Sequence, residues 1–122
     1  MGGIEGQVSW LTECAVKEGK LDELKALMDE MVAATSEEEP GALSYEWFIS
    51  ADDCTLHLYE KYADSAAMVA HAKAFGERWA PRFMGCVDVK RFTAYGNPDE
   101  AAQKAIAPFG GRQLGTLGGF AR

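Results

Sequence analysis

The sequence predicts an α+β domain of the ferredoxin-like type, an antiparallel four-stranded sheet with two helices on one face. Apolar residues recur at strand spacing in four segments and at helix spacing in two, in the order β-α-β-β-α-β. The length of 122 residues suits one domain. We expect residues 1–96 to form the ferredoxin-like unit, and residues 97–122 to add a C-terminal helix and a glycine-rich tail to the same domain.

Four elements are predicted in the first half of the chain. Residues 7–16 alternate loosely between apolar and polar side chains, which is typical of a strand. Residues 20–36 carry leucine, methionine and valine at three-and-four spacing, which predicts a helix with one buried stripe. Two further strands, residues 43–50 and 55–62, flank short polar residues of the kind that form a hairpin loop.

A second helix is predicted to begin near Asp64 or Ser65, because either side chain can cap it. Its buried stripe combines apolar residues with one histidine: Met68, His71, Ala72, Phe75 and Trp79. We expect Pro81 to limit this helix, because proline disrupts a helix interior. Residues 86–95 then predict the fourth strand.

The C-terminal part is predicted to be a helix followed by a tail. Asn97 can cap a helix whose first turn contains Pro98 and Glu100, and we expect that helix to end at Pro108. The glycine-rich tail, residues 110–122, has no period, but its large apolar residues indicate that it docks on another surface.

The charge balance disfavours two classes of partner. The chain has 12 Lys and Arg against 19 Asp and Glu, a formal net charge of −7. We therefore expect no nucleic-acid binding, although RNA-recognition domains share this strand order. We interpret the acidic run 37–39 as a solvated helix end rather than a binding site. No apolar run is long enough for a membrane span, and the N-terminus lacks a secretory pattern, so we expect a cytoplasmic protein that binds no membrane.

The cysteines and histidines predict neither a metal nor a cofactor. Cys14, Cys54 and Cys86 have no metal-ligand or CxxC spacing, and we expect them to be reduced. Cys14 and Cys86 should be strand residues and Cys54 a turn residue. The two histidines fall on opposite faces of the predicted fold, and no HExxH or nucleotide-binding glycine motif occurs.

The hairpin formed by residues 43–62 has one apolar face. A two-residue loop at Asp52-Asp53 sets Tyr45 opposite Glu60 and Trp47 opposite Leu58. The face expected under the helices is apolar apart from one carboxyl group: Leu43, Tyr45, Trp47, Ile49, Leu56, Leu58, Glu60 and Tyr62.

The opposite face of the hairpin is a candidate interface. It combines polar residues with aromatic ones: Ser44, Glu46, Phe48, Ser50, Thr55, His57, Tyr59 and Lys61. A face that meets only water rarely carries phenylalanine beside histidine and tyrosine, so we expect a homodimer in which two such faces form a dimeric α/β barrel. His57 would then lie at the interface. The alternative is an exposed sheet with scattered aromatic residues.

Glu60 and His71 are the candidate catalytic residues. Glu60 is the only acid on the apolar hairpin face, where burial without a cation would raise its pKa and suit it to general acid or base work. The alternative is a rim residue paired with Arg78 or Arg82. His71 lies on the apolar stripe of the second helix and can move protons near neutral pH. It could equally be a core histidine with one satisfied hydrogen bond.

Around these two residues the predicted elements gather aromatic and aliphatic side chains. Six of them could bind a flat aromatic molecule or simply form the core: Tyr45, Trp47, Leu58, Tyr62, Phe75 and Trp79.

The run from Pro40, PGALSYEWFISADDCTLHLYEKY, followed by ADSAAMVAHAKAF, resembles the antibiotic biosynthesis monooxygenase superfamily of dimeric α/β barrels. The resemblance lies in the order Pro-Gly, strand, short turn, strand with an acid near its end, and helix carrying histidine, and it covers about residues 7–95. Members include cofactor-free monooxygenases that oxidise quinols and polyketide-derived phenols with molecular oxygen. The resemblance implies a pocket between sheet and helices. His71 and Glu60 match positions where members often place a histidine and an acid.

The heme-degrading branch of that superfamily is a poorer match. Its members have an asparagine in the first strand and a Trp-His pair on the second helix. Here the first strand has no asparagine, and Trp79 follows His71. We therefore do not predict heme chemistry.

These observations lead to two hypotheses about function. The first is a cofactor-independent monooxygenase that acts on a small aromatic phenol or quinol, with Glu60 or His71 as the base and no cofactor. The second is a non-catalytic small-molecule-binding or stress-related protein built on the same dimeric barrel. The sequence does not separate the two.

Overall fold

The protein has the ferredoxin-like α+β fold that the sequence predicts, with a fifth strand added at one edge. The structure is a computed structural model that describes residues 6–122. Residues 1–5, on which the prediction about a secretory signal mainly rests, lie outside the described part. The strands are β1 (Val8–Val16), β2 (Ala42–Ile49), β3 (Thr55–Tyr62), β4 (Val87–Gly96) and β5 (Arg112–Leu114). The helices are α1 (Leu21–Glu38), α2 (Ser65–Ala74), α3 (Ala80–Cys86) and α4 (Glu100–Ile106).

The sheet has the strand order β2-β3-β1-β4-β5. All neighbours are antiparallel except β4 and β5, which are parallel. The buried positions of β1 alternate along the strand, and those of β3 do the same, so one face of the sheet packs under the helices. Between sheet and helices the core forms two clusters, one around Leu27 and Met31 of α1 and one around Met68 of α2.

The predicted hairpin register is confirmed, but the loop that sets it has four residues, 51–54, rather than the two predicted. Tyr45 pairs with Glu60 and Trp47 with Leu58 across β2 and β3. A bulge between Ala42 and Ser44 leaves Leu43 unpaired. Leu43 is therefore exposed, and so is Ile49 at the end of the hairpin, so the prediction that these two lie under the helices is wrong.

The helical segment after β3 is longer than the sequence predicts. Asp64 caps α2 by accepting a hydrogen bond from the backbone N–H of Ala67, as predicted. After α2, a π-helical turn at Phe75–Trp79 leads directly into α3. The expectation that Pro81 limits this helical segment is wrong, because Pro81 lies in the first turn of α3, where its missing N–H costs no hydrogen bond.

Two local predictions about the C-terminal half are also corrected. Cys86 is the last residue of α3 rather than a strand residue, while Cys14 lies in β1, Cys54 in the hairpin loop, and all three are free. The cap of α4 is Asp99 and not Asn97, because the Asp99 carboxylate accepts a hydrogen bond from the N–H of Ala102.

The C-terminal extension packs on the fold. Helix α4 ends at Ile106, and a short 3₁₀ turn, Ala107–Phe109, contains Pro108. Strand β5 then pairs with β4, while Leu117 and Phe120 of the tail stay exposed. Within residues 6–122, no helix has both the length and the apolar character needed to cross a membrane.

The cap of α4 can be tested by substitution. Asp99→Ala removes the side-chain acceptor for the N–H of Ala102, and we expect the free energy of unfolding to fall by about 1 kcal/mol in urea denaturation. Asn97→Ala is the matched control and should change stability by less than about 0.5 kcal/mol. A larger loss from Asn97→Ala than from Asp99→Ala would show that the cap is assigned to the wrong residue.

Candidate active site

Glu60 and His71 meet beneath the helices. The alternation of β3 turns Glu60 toward the core with Leu58 and Tyr62, and His71 faces it from the buried side of α2. The Nε2 atom of His71 lies 2.9 Å from Oε1 of Glu60. Only 3% of the surface of Glu60 and 2% of that of His71 are exposed. A carboxylate at this depth is stable only if neighbouring groups replace the hydrogen bonds that water would supply.

Three donors surround the Glu60 carboxylate. The indole N–H of Trp10 donates to Oε2 at 2.6 Å, because Trp10 is the residue directly opposite Glu60 where β1 pairs with β3. The hydroxyl of Tyr62 donates to Oε1, which also contacts His71. An ionised carboxylate offers about four acceptor positions, so one position remains for a hydrogen bond from a bound molecule.

His71 has a second carboxylate on its other side. Its Nδ1 atom lies 2.9 Å from Oε1 of Glu39, whose side chain is 16% exposed. The prediction that residues 37–39 form only a solvated helix end is wrong for Glu39, the residue that follows α1. The turn after α1 lies close to α2, because a Cβ on Gly41 would lie only 2.6 Å from that of Ala67. This close approach places Glu39 beside His71.

The two carboxylates determine the charge of His71. Burial lowers the pKa of His71, but the hydrogen bonds and charges of Glu39 and Glu60 outweigh burial and raise it to about 9. His71 is therefore an imidazolium near neutral pH, between two carboxylates. Burial and the charge of Glu60 hold the pKa values of Tyr45 and Tyr62 above their usual range, so both phenols are neutral.

The Glu60–His71 pair faces a cavity of about 330 Å³. Most of its wall is aromatic or aliphatic. The complete set of lining residues is Trp10, Thr12, Tyr45, Leu58, Glu60, His71, Phe75, Ala80, Phe83, Met84, Val89, Phe92, Pro108 and Phe109. Met84 and Val89 are also exposed to solvent, which places the opening between α3 and the start of β4. The buried hydroxyl of Tyr45 lies near the side chains of Thr35 and Trp47, although none of the contacts among residues 6–122 has full hydrogen-bond geometry.

The structure brings some of the candidate site residues together and separates others. Tyr45, Leu58 and Phe75 line the cavity with Glu60 and His71. Tyr62 lies behind Glu60 and contacts its carboxylate. Trp47 and Trp79 pack in the core beside Phe83 and do not line the cavity.

The alternative in which Glu60 pairs with Arg78 or Arg82 is excluded. Arg78 pairs with Glu38, and Arg82 pairs with Glu30 on the surface.

Several residues of the site could not be assigned from the sequence. Trp10 lies on an inward position of β1, but its contact with Glu60 depends on the register between β1 and β3, two strands far apart in sequence. Phe92 and Phe109 complete the aromatic wall from β4 and the C-terminal turn. Their apolar character was visible, but nothing local indicated that they share one cavity.

The part of the chain that the structure describes shows no metal-binding arrangement. Among residues 6–122, no group of three or more His, Cys, Asp and Glu side chains is placed to hold a metal ion. Glu39 and Glu60 lie on opposite sides of the His71 ring, so their oxygens and the ring nitrogens do not converge on one point. His57 lies on the other face of the sheet, within 3.7 Å of Glu13.

Comparisons with known proteins agree with this fold. The sequence model of the antibiotic biosynthesis monooxygenase family matches residues 8–79. The crystal structure of MupZ from Pseudomonas fluorescens is similar, with a TM-score of 0.84 and 19% identity over 100% of this chain and 91% of MupZ. SnoaB, a cofactor-independent oxygenase from Streptomyces nogalater, superposes with a TM-score of 0.60 and 13% identity over 77% of this chain and 95% of SnoaB. The structure of Rv0793 from Mycobacterium tuberculosis superposes with a TM-score of 0.57 and 25% identity over 78% of this chain and 98% of Rv0793. No curated protein sequence matches the chain.

The raised pKa of His71 predicts a pH dependence of stability. Because folding raises this pKa from 6.5 to about 9, the stabilisation is complete below about pH 6.5 and is lost as the pH rises through 9. At pH 6 the free energy of unfolding of the wild type should exceed that of His71→Gln by a few kcal/mol, at about 1.4 kcal/mol per pKa unit. This difference should vanish by about pH 10.

Urea denaturation at a series of pH values measures this difference, and His57→Gln is the control for the exposed histidine. A stability difference between wild type and His71→Gln that is the same at pH 6 and pH 10 would contradict the assigned charge of His71.

Proposed function

The chain belongs to the antibiotic biosynthesis monooxygenase family, and on that premise we propose that it is a cofactor-independent monooxygenase for a small aromatic phenol or quinol. One observation carries the proposal: a buried carboxylate with one acceptor position left faces an aromatic cavity. A phenolic hydroxyl fits that position as a donor, and the flat ring fits between the aromatic walls.

Glu60 is the base in this proposal. A carboxylate can accept the hydroxyl proton of the substrate, whereas His71 carries both of its ring protons and has no free lone pair. Its positive charge beside Glu60 stabilises negative charge that develops in the cavity.

The overall reaction balances with oxygen as the only oxidant. A quinol and O₂ give a hydroxyquinone and water, so that the substrate loses four electrons and the two oxygen atoms go to separate products. The quinolate transfers one electron to O₂, and the resulting radical pair forms a carbon–oxygen bond at a ring carbon. Glu60 returns its proton to the outer peroxide oxygen. It then accepts the ring C–H proton as the O–O bond breaks, and that proton completes the departing water.

The aromatic wall protects this chemistry. Radical and peroxide species react with water and with polar side chains, and a cavity with few polar groups keeps both away. The phenylalanines at positions 75, 83, 92 and 109 supply four of the aromatic rings in that wall. The same residues would hold oxygen, an apolar molecule, next to the substrate ring.

A homodimer also belongs to this proposal. The sheet face opposite the helices bears Phe48, which is 52% exposed, beside the half-buried His57 and Tyr59. The tail runs along one corner of that face, where it lines a groove with Tyr59 and Tyr95. Two such faces packed together would cover these aromatic residues and the exposed apolar residues of the tail.

Oxygen uptake on a panel of quinols and phenols tests the reaction. Glu60→Gln removes the base but keeps the size of the side chain, and we expect kcat to fall by at least about 100-fold. His57→Gln, on the other face of the sheet, should leave kcat within about twofold. A kcat that is unchanged in both Glu60→Gln and His71→Ala would contradict the roles proposed for these two residues. Saturable binding of the phenols without oxygen uptake would favour the non-catalytic alternative.

Light scattering tests the dimer. At micromolar concentration we expect a mass twice that of the 13.3 kDa chain. Phe48→Asp places a charge in the proposed interface and should produce the monomer, whereas Glu46→Asp on the same face should not. A wild-type protein with the mass of one chain would overturn the dimer.

A further inference from the structure

The contacts of His71 require a particular protonation state. A neutral imidazole has one N–H and one lone pair, so it can donate to only one carboxylate and would turn its lone pair toward the other. Yet both ring nitrogens lie 2.9 Å from a carboxylate oxygen. This geometry fits an imidazolium that donates one hydrogen bond to Glu39 and one to Glu60.

In the described part of the chain, two carboxylates are the only groups beside His71 that favour its protonated form. The titratable groups around the ring are Glu39 after α1, Glu60 and Tyr62 on β3, and Tyr45 on β2. Both tyrosines remain neutral, so only the two carboxylates favour the cation. Glu60 alone would face a buried imidazole that burial drives toward the neutral form.

We propose that Glu39 is a positioning residue that holds His71 as an oriented imidazolium and, through it, keeps the Glu60 carboxylate ionised in the apolar cavity. This inference rests on the proposed function, in which Glu60 is the base. Without Glu39, the proton between His71 and Glu60 moves to the carboxylate, because a neutral pair is more stable than an ion pair in an apolar site. Glu60 is then a carboxylic acid and cannot deprotonate a phenol.

The position of Glu39 suits this role. It does not line the cavity, so it touches no substrate, and it acts only through His71. Its side chain is partly exposed, so water can hydrogen-bond to the carboxylate on the side away from His71. The backbone N–H of Glu39 bonds to the carbonyl oxygen of Thr35, which fixes the residue at the end of α1.

The test compares Glu39→Gln with Glu38→Gln. The neighbouring Glu38 pairs with the exposed Arg78 rather than with His71, so it is a matched control for the loss of one carboxylate. The first readout is the titration of His71 in the wild type and both variants, followed by NMR of the imidazole. Because the chain has only two histidines, His71→Gln assigns its signal. We expect Glu39→Gln to lower the His71 midpoint by about 1–3 units and Glu38→Gln to leave it unchanged.

The second readout is the pH profile of kcat in the oxygen-uptake assay. In Glu39→Gln, kcat should fall by at least about tenfold at neutral pH and recover as the pH rises, because Glu60 must first lose the proton that it takes from His71, while KM stays within about twofold. Glu39→Asp keeps the charge, so its His71 midpoint should lie much closer to that of the wild type than the midpoint of Glu39→Gln does. A His71 midpoint that Glu39→Gln does not move would overturn the inference.

The two readouts separate this inference from the proposed function. If Glu39→Gln lowers the His71 midpoint but neither the wild type nor any variant consumes oxygen, the proposed reaction is wrong, and the effect of Glu39 on His71 is confirmed. If the wild type consumes oxygen and Glu39→Gln changes neither the midpoint nor the pH profile, the reaction stands, and the role of Glu39 fails. A circular dichroism spectrum like that of the wild type shows that each variant is folded.

Discussion

The site depends on a carboxylate that is buried under apolar side chains and yet has several hydrogen-bond donors. Moving a charge into such a place costs several kcal/mol unless neighbouring groups replace water. The donors to Glu60 come from three elements: Trp10 from β1, Tyr62 from β3 and His71 from α2. The charge therefore requires the correct register between the strands and the correct position of α2. The aromatic rings that carry two of these donors also form part of the core, so the core and the candidate site share the same residues.

Much of this arrangement follows from local sequence. Alternation in the hairpin placed Glu60 inward and opposite Tyr45, because a strand repeats every two residues and a loop centred on Asp52-Asp53 fixes the register. The helical spacing of Met68, His71 and Ala72 placed the histidine on the buried side of α2 for the same kind of reason. These predictions needed only the geometry of one hairpin and one helix. They were sufficient to identify the fold and the acid–histidine pair.

The rest of the site depends on contacts that local patterns do not encode. The register between β1 and β3 decides that Trp10 faces Glu60, and this pairing joins residues fifty positions apart in the chain. Glu39 looked like one of three equivalent acids, and the close approach of Gly41 to Ala67, which brings this turn beside α2, distinguishes it. Phe109 closes the cavity from the C-terminal turn, beyond the residues matched by the family model. Trp47 and Trp79 show the opposite case, since aromatic residues close to the site in sequence became part of the core.

The arrangement of protons among Glu39, His71 and Glu60 is the central claim, and neutron diffraction of a deuterated crystal of the wild-type protein near neutral pH tests it most directly. We expect a deuteron on both ring nitrogens of His71 and none on either carboxylate. A deuteron on Glu60, together with a single deuteron on the imidazole, would contradict it.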